Sequence, residues 1–409
     1  MKANIIQFSF GDGFAGSAKM AVLSSKALID SGHSVKLVVS KDSLTKKRAL
    51  EKGIPVIEFD SKQKNSTLVK NILSNCKLQN TDFIVAYHSQ DRKVVMKLKS
   101  KLKKEIISVA YRQNISLSTP IIGSFLYNKY FDYMIACSNG VAQSLIQEGI
   151  KKNKVFTIHN TTEIPENIDS ISGEKIRNQF QLNDKIVLGI SSWFHKERKG
   201  FDILFEVFSK LDAKFVLLII GIPDENQNEV IEYAGTFGIS ETRIIMPGYV
   251  DNIYEYYKAM DIFLLPSRSE GFSLALLEAA SCGLPIIASD IPGNDEFVED
   301  RKNGLLFNIS KPEELIDGIL ELTRDPLLVK NFGINAKATF EAEFAFKRFA
   351  EKLNSFLMKQ FQIEKSENQI TNFISLSISF ITFSIGNSSI HSCLYGQTSF
   401  VQIIQNNSE

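Results

Sequence analysis

Short runs of aliphatic and β-branched residues recur along this chain and alternate with longer stretches of helical period. Residues 4–10, 34–39, 56–59, 83–87, 106–111, 133–136 and 155–158 form one series, and 186–190, 215–220, 243–246, 262–265 and 285–288 a second. These runs do not alternate apolar with polar. A strand buried on both faces has no solvent side to mark, so continuous apolar runs separated by helical stretches predict parallel sheets covered by helices. Residues 161–173, with Pro165, Asn167, Ser170 and Ser172, read as a linker between the series. The pattern predicts two doubly wound α/β domains, residues 1–165 and 172–341, with ligands in the crevices at the carboxyl ends of the strands. Residues 342–360 have the spacing of an amphipathic helix. The tail, residues 361–409, differs: no Lys or Arg follows Lys365, and residues 371–386 alternate apolar with Ser and Thr, a strand-like period. Its role is undefined by the sequence.

Length and apolar content, 409 residues and 44%, suffice for two cores. The net charge of +1 conceals an asymmetry. Residues 1–170 carry 25 Lys and Arg against 14 Asp and Glu, and the remainder 22 against 32. A basic first half suggests an anionic partner or surface, with ordinary solvated charge as the alternative. Cys76, Cys137, Cys282 and Cys393 are scattered without metal-ligand spacing and suit a reducing compartment. The N-terminus lacks the apolar length and cleavage site of a signal peptide, and no apolar run is long enough to span a bilayer. A cytoplasmic location is expected.

The densest information lies in residues 266–307. A polar loop, Pro266-Ser-Arg-Ser-Glu270-Gly-Phe-Ser273, follows an apolar run and leads into a helical stretch carrying Glu278. Eight residues at about 3.6 per turn bring the two glutamates to roughly one face. Strand, Gly-containing loop and helix start in that order also leave backbone N–H groups that suit a phosphate. Gly283-Leu-Pro285, a second strand over 286–289, Gly293, Glu296 and Gly304 follow.

This segment resembles the Glu-x7-Glu signature of the retaining glycosyltransferases of family 4 ("glycosyl transferases group 1"), which have the GT-B fold. The resemblance covers roughly residues 1–360 and is most specific in the second half. It implies two Rossmann-like domains facing a cleft, an N-terminal acceptor domain and a C-terminal nucleotide-sugar domain, with a C-terminal helix crossing back to the first. Glu278 then accepts hydrogen bonds from the ribose hydroxyls, and Glu270 faces the transferred sugar. Phe272, Ser273 and Leu274 offer N–H groups to sugar hydroxyls and phosphate. Arg198 and Lys199, before Gly200, hold the diphosphate, although the family commonly has its Arg about five residues before the Lys, where Phe194 stands here. Gly248 and Tyr249 resemble the nucleobase contact.

In the first half, the loop from Gly11 through Gly16 and Ser17 resembles the family's glycine-rich loop. It also matches Gly-x-Gly-x-x-Gly by count. The acidic residue that a dinucleotide site needs at the end of the second strand is missing, since Val39-Ser40-Lys41 stands there. A family histidine that contacts the sugar is replaced by Arg112. Either Arg112 helps neutralise the leaving phosphate or His88 takes a polar role.

The function expected is transfer of a sugar, hexosyltransferase in type, from a nucleotide-sugar donor to a hydroxyl acceptor in bacterial surface polysaccharide or lipopolysaccharide synthesis. The alternatives are a GT-B sugar-nucleotide epimerase and a non-catalytic glycosyltransferase-like binding subunit. No metal motif is present, so no metal or other cofactor is expected, with Arg and Lys taking the part of a divalent cation. Expected partners are the donor and a glycan or lipid-linked acceptor, without nucleic acid. Residues 94–104 place Lys97, Lys101 and Lys104 on one stripe of a helix, which adds a peripheral contact with an anionic membrane, on its inner face, to the expectations.

Overall fold

The computed structural model describes residues 2–11, 13–102, 106–114 and 120–384. Asp12, Lys103, Lys104, Cys393 and the tail from residue 385 onward lie outside the described residues. Two compact units divide the chain, Met1–Asn354 and Ser355–Glu409, and the first holds both sheets.

The first sheet has seven strands: β1 (Asn4–Ser9), β2 (Ser34–Ser40), β3 (Val56–Phe59), β4 (Phe83–Ala86), β5 (Ile107–Arg112), β6 (Tyr133–Ala136) and β7 (Val155–Thr157). Their order is β3-β2-β1-β4-β5-β6-β7, and every pairing is parallel. The second sheet has six: β8 (Ile186–Ser191), β9 (Phe215–Ile220), β10 (Ile244–Ile245), β11 (Ile262–Leu265), β12 (Ile286–Ser289) and β13 (Leu305–Phe307), in the order β10-β9-β8-β11-β12-β13. It too is wholly parallel.

Each sheet runs outward from its first strand and then restarts on the other side. This doubly wound order opens a crevice at the carboxyl ends where the direction reverses. In the first sheet the reversal lies between β1 and β4, and in the second between β8 and β11. The apolar runs are buried as their lack of alternation predicts: β4, β9, β11 and β12 are buried along their whole length. Helices seal them. Helix Gly16–Asp30 buries Met20, Val22, Leu23 and Leu28, and helix Phe201–Ser209 packs Phe201, Phe205 and Phe208 into the second core.

Two elements depart from the sequence pattern. β13 has only three residues, too few to show a period, yet it pairs with β12 from Ile287–Leu305 to Ser289–Phe307. The alternation over residues 371–386 does not give a strand where it is described, because helix Phe346–Ser384 runs through it. A strand there would leave its backbone groups unpaired without a neighbour. Extending an existing helix adds one hydrogen bond per residue after nucleation. Near its start this helix returns to the first sheet's half, where Asn354 Oδ1 lies 2.8 Å from His33 Nε2.

Helix Pro326–Thr339 packs against the turn at Gly283, whose φ of +73° suits glycine. A Cβ on Gly333 would lie 2.1 Å from the Gly283 carbonyl oxygen. Gly333→Ala is therefore expected to cost about 1–3 kcal/mol through overpacking. A thermal-unfolding midpoint equal to that of the parent would show that the helix can move away freely.

Candidate functional site

The site is built on the reversal between β8 and β11. The chain leaves β11 through Pro266 and Ser267 and turns at Glu270 and Gly271 into helix Leu274–Ser281. Ser273 caps this helix, its Oγ accepting from the Leu276 N–H at 3.4 Å. That leaves the N–H groups of Ser273 and Leu274 at the helix start outside the intrahelical ladder. Glu270 is 7% exposed and Glu278 4%. Isolated buried carboxylates are costly, so each should have partners.

Glu270 Oε1 accepts from Lys199 Nζ at 2.7 Å and from Ser267 Oγ at 2.7 Å. Lys199 belongs to the turn after β8. Gly200 fixes that turn: its φ is +67°, and a Cβ there would fall 1.9 Å from the Pro266 carbonyl oxygen. Backbone therefore touches backbone, and the Lys199 ammonium is delivered to Glu270. Arg198 is half-buried beside it, and its carbonyl accepts from the Arg268 N–H at 2.9 Å. Among the described residues its guanidinium forms no ion pair. Phe194 is not on this surface; it packs against Phe201 and Tyr233 at ring separations of 5.0 and 6.0 Å.

Glu278 Oε2 accepts from the Tyr257 hydroxyl at 2.9 Å, and Oε1 from Lys19 Nζ at 3.0 Å. Burial first, and then the Glu278 charge, hold the Tyr257 phenol well above its usual range, so it stays a donor. Lys19 comes from the first turns of helix Gly16–Asp30 in the other sheet's half. The pair thus bridges the cleft. Gly248, at φ +75°, accepts from the Gly221 N–H at 3.1 Å, and Tyr249 beside it is largely exposed. Both lie past the carboxyl end of β10.

In the first half, helix Gly16–Asp30 has no side-chain cap, which leaves the first-turn N–H groups of Gly16 and Ser17 available to a ligand. His88 sits under the glycine-rich loop at the β1–β4 reversal. Its Nε2 is 3.1 Å from Ser9 Oγ, and a Cβ on Gly11 would strike its ring. Burial lowers the His88 pKa, with Asp91 opposing and Arg92 reinforcing, so the imidazole is neutral at neutral pH. Arg112 ends β5, buried, with its guanidinium 5.6 Å from the Tyr127 ring centroid and Nη1 3.3 Å from the Tyr127 hydroxyl. Burial and then the Arg92 charge lower its pKa. The structure thus brings Glu270, Lys199, Arg198, Phe272, Ser273 and Leu274 to one end of the second sheet, with Glu278 reaching across to Lys19. Arg112 is as buried as the two glutamates, at 4% exposure.

Sequence reasoning missed the seam that aligns the halves. Glu296 Oε2 accepts from Asn139 N at 2.7 Å and lies 2.7 Å from His159 Nε2, while Oε1 accepts from Gly140 N at 2.8 Å. It caps helix Asn139–Gln147 from the opposite half. His159 lies against Phe272 and Phe344 at 4.8 and 5.4 Å. Asn160 Nδ2 donates to the Phe272 carbonyl at 3.0 Å, and Gly271 approaches Gln113 so closely that a Cβ would fall 2.0 Å from its carbonyl oxygen. Lys19 could have been suspected from its place three residues after Gly16. His159 and Asn160 carried no signal beyond being polar after a strand.

Among the described residues no group of three His, Cys, Asp or Glu could hold a metal ion. No described helix is long and apolar enough to cross a membrane.

Two doubly wound parallel sheets with the site at their carboxyl ends define the GT-B class. The Anabaena protein HepE, solved in complex with UDP and glucose, superposes with a TM-score of 0.77 over 87% of this chain and 99% of its own, at 20% identity. Residues 172–339 match the family Glycosyl transferases group 1, so the resemblance read from the sequence stands at the level of that group. A Methanocaldococcus jannaschii glycosyltransferase is 29% identical over 269 residues, 64% of either chain. The Escherichia coli O-antigen biosynthesis glycosyltransferase WclY is 27% identical over 270 residues, 64% of this chain and 72% of its own. The chain spans between 50% and 64% of the length of the first curated relatives it matches.

The seam gives a pH prediction. Burial pushes the Glu296 carboxyl up, but the hydrogen bonds from His159, Asn139 and Gly140 outweigh it and hold its pKa below the usual value. With the folded value below the unfolded one, these bonds stabilise fully above about pH 4–5 and are lost as pH falls through the folded value. Glu296→Gln should cost about 1–3 kcal/mol at neutral pH. In urea titrations its deficit should shrink on acidification; a deficit independent of pH from 7 to about 3 would remove the charge from the account.

Proposed function

We propose that the chain is a retaining glycosyltransferase that moves a sugar from a nucleotide-sugar donor to a hydroxyl acceptor in bacterial surface polysaccharide assembly. The observation that carries this reading is the pair of buried carboxylates, Glu270 and Glu278, each held by a lysine at the cleft. A hydroxyl-rich, diphosphate-bearing ligand satisfies both members of such pairs: carboxylates accept from hydroxyls, and ammonium groups receive phosphate oxygens. WclY's part in O-antigen biosynthesis and the UDP and glucose bound to HepE support the substrate class.

In this reading Glu278 takes the ribose hydroxyls, and Tyr257 fixes its orientation. Gly248 and Tyr249 meet the base. Lys199 and Arg198 hold the diphosphate, and Glu270 orients the sugar together with the N–H groups of Phe272, Ser273 and Leu274. Gly16 and Ser17 approach from the acceptor side. The C1–O bond to phosphate breaks while the acceptor oxygen joins C1 on the same face, and the acceptor proton passes to the departing phosphate. Lys199 and Arg198 stabilise the charge that develops there, usually the largest single contribution. His88, neutral and tethered to Ser9, can donate to or accept from a sugar hydroxyl; Arg112, buried, adds positive potential. The scheme needs no metal, and the scattered cysteines suit a cytoplasmic setting.

Glu278→Ala is expected to weaken nucleotide-sugar binding, since each hydrogen bond to a charged acceptor is worth about 1.5–3 kcal/mol. Calorimetry showing the parent affinity would refute the ribose role. Lys199→Ala should lower kcat by about 100-fold or more, measured at a temperature where the variant is folded, because leaving Glu270 buried without its ammonium partner also lowers the unfolding midpoint. Turnover within about threefold of the parent would exclude the diphosphate role. Activity should persist in EDTA; a loss restored by Mg²⁺ would overturn the metal-free scheme.

A further inference from the structure

Gln113 is the first residue past β5. Arg112, the last residue of that strand, turns toward Tyr127. Gln113 lies against different neighbours. Its carbonyl oxygen would be 2.0 Å from a Cβ on Gly271, and its Oε1 4.0 Å from a Cβ on Gly16. Gly271 follows Glu270 in the chain, and Gly16 opens the helix after the glycine-rich loop. A half-buried amide thus stands between the Glu270 loop of the second half and the helix start of the first.

The amide is held in one orientation. Gln113 Nε2 donates to Asn160 Oδ1 at 3.0 Å, and Asn160 Nδ2 donates to Gln113 Oε1 at 2.9 Å. Asn160 is 1% exposed, and its Nδ2 also donates to the Phe272 carbonyl at 3.0 Å. A carbonyl only accepts, so it fixes which way round the Asn160 amide sits, and the reciprocal pair then fixes Gln113. Both Asn160 donors are used in these bonds. Gln113 is not saturated. A primary amide has two N–H donors and an oxygen with two lone pairs, so Nε2 keeps one N–H and Oε1 one lone pair. Among the described residues the Gln113 side chain has no partner besides Asn160.

One spare donor and one spare acceptor, without charge, define the ligand chemistry. A phosphate oxygen meets only the N–H and is better served by the cations Lys199 and Arg198. An ammonium meets only Oε1. A hydroxyl both donates and accepts, so it can use either group. The position narrows the choice further. The Gln113–Asn160 pair is pinned to Gly271 and Phe272, the two residues that follow Glu270.

We propose that Gln113 is a substrate-binding residue that meets a hydroxyl of the transferred sugar, and that Asn160 is its positioning residue. The inference rests on the reading of the Glu270 loop as the sugar side of a donor site. It gives the sugar a contact from the first half in addition to Glu270 from the second. A donor whose hydroxyl is absent or epimeric at that point leaves the amide unpaired, and a site built to bond a hydroxyl discriminates strongly against such analogues.

The test is calorimetry of the full chain with UDP, GDP and ADP and with their glucose, galactose and N-acetylglucosamine esters. For the base that the parent binds, Gln113→Met should weaken the nucleotide sugar about tenfold or more and leave the nucleoside diphosphate within about twofold. A merely structural role would weaken both together. Asn160→Ala should show the same split, and combining it with Gln113→Met should add nothing to the loss. Retained nucleoside diphosphate affinity also shows that a variant is folded. If Gln113→Met loses it, Gln113→His, which keeps a donor for Asn160 Oδ1, is read by the same comparison. Equal loss on both ligands, no loss on either, or additive losses in the double variant overturn the proposal and leave the donor site standing. A parent that binds none of these ligands removes the donor site, and the proposal with it.

Discussion

The loop between β11 and helix Leu274–Ser281 is held where backbone meets backbone. On one side Gly200 lies against the Pro266 carbonyl, and on the other Gly271 lies against the Gln113 carbonyl and the Gly293 turn. No side chain fits at these contacts, and the 1.9 and 2.0 Å separations a Cβ would meet decide the matter. Because the distances are set by main chain, the loop cannot drift by a rotamer change. The positions of Glu270, Ser267 and Lys199 follow from it. Gln113 belongs to the first sheet's half, so the same loop also sets how the halves approach.

That constraint explains how the cleft tolerates its charges. Two lysine–glutamate pairs lie mostly out of water, and such pairs gain little net stability once desolvation is counted. Their value is orientation: each carboxylate is aimed by a hydroxyl as well, Ser267 for Glu270 and Tyr257 for Glu278. A ligand that supplies hydroxyls to the carboxylates and negative charge to the ammonium groups replaces one satisfied set with another. The Lys19–Glu278 contact is different in kind, because it joins the two halves. A ligand that displaced Lys19 from Glu278 would be felt at the first turns of the helix after the glycine-rich loop.

Much of this was legible in the sequence, for reasons that can be named. Strands buried on both faces write themselves as apolar runs, so twelve of the thirteen strands stand out, and the short β13 does not. The loop carrying Glu270 and Glu278 was visible because glycine, glutamate and helix start fall in one continuous segment. Lys199 was visible beside Gly200 for the same reason. What could not be read were contacts between segments far apart in the chain. His159 with Glu296, 137 residues on, and Lys19 with Glu278, 259 residues on, have no local signature. Phe194 stands at the spacing from Lys199 where the family has its Arg, and its half-buried ring packs against the second core instead.

The alternation over residues 371–386 misled for a related reason. A period of two expresses one buried face only if a sheet waits to receive it. A period is a statement about an environment, and the helix that begins at Phe346 had already supplied another. The same logic runs the other way at helix Pro120–Tyr130. Its apolar residues Ile121, Ile122 and Phe125 are exposed, whereas Gly123 is buried and Tyr127 bonds Arg92. Hydrophobic pattern and observed packing agree along both sheets and part company at this turn.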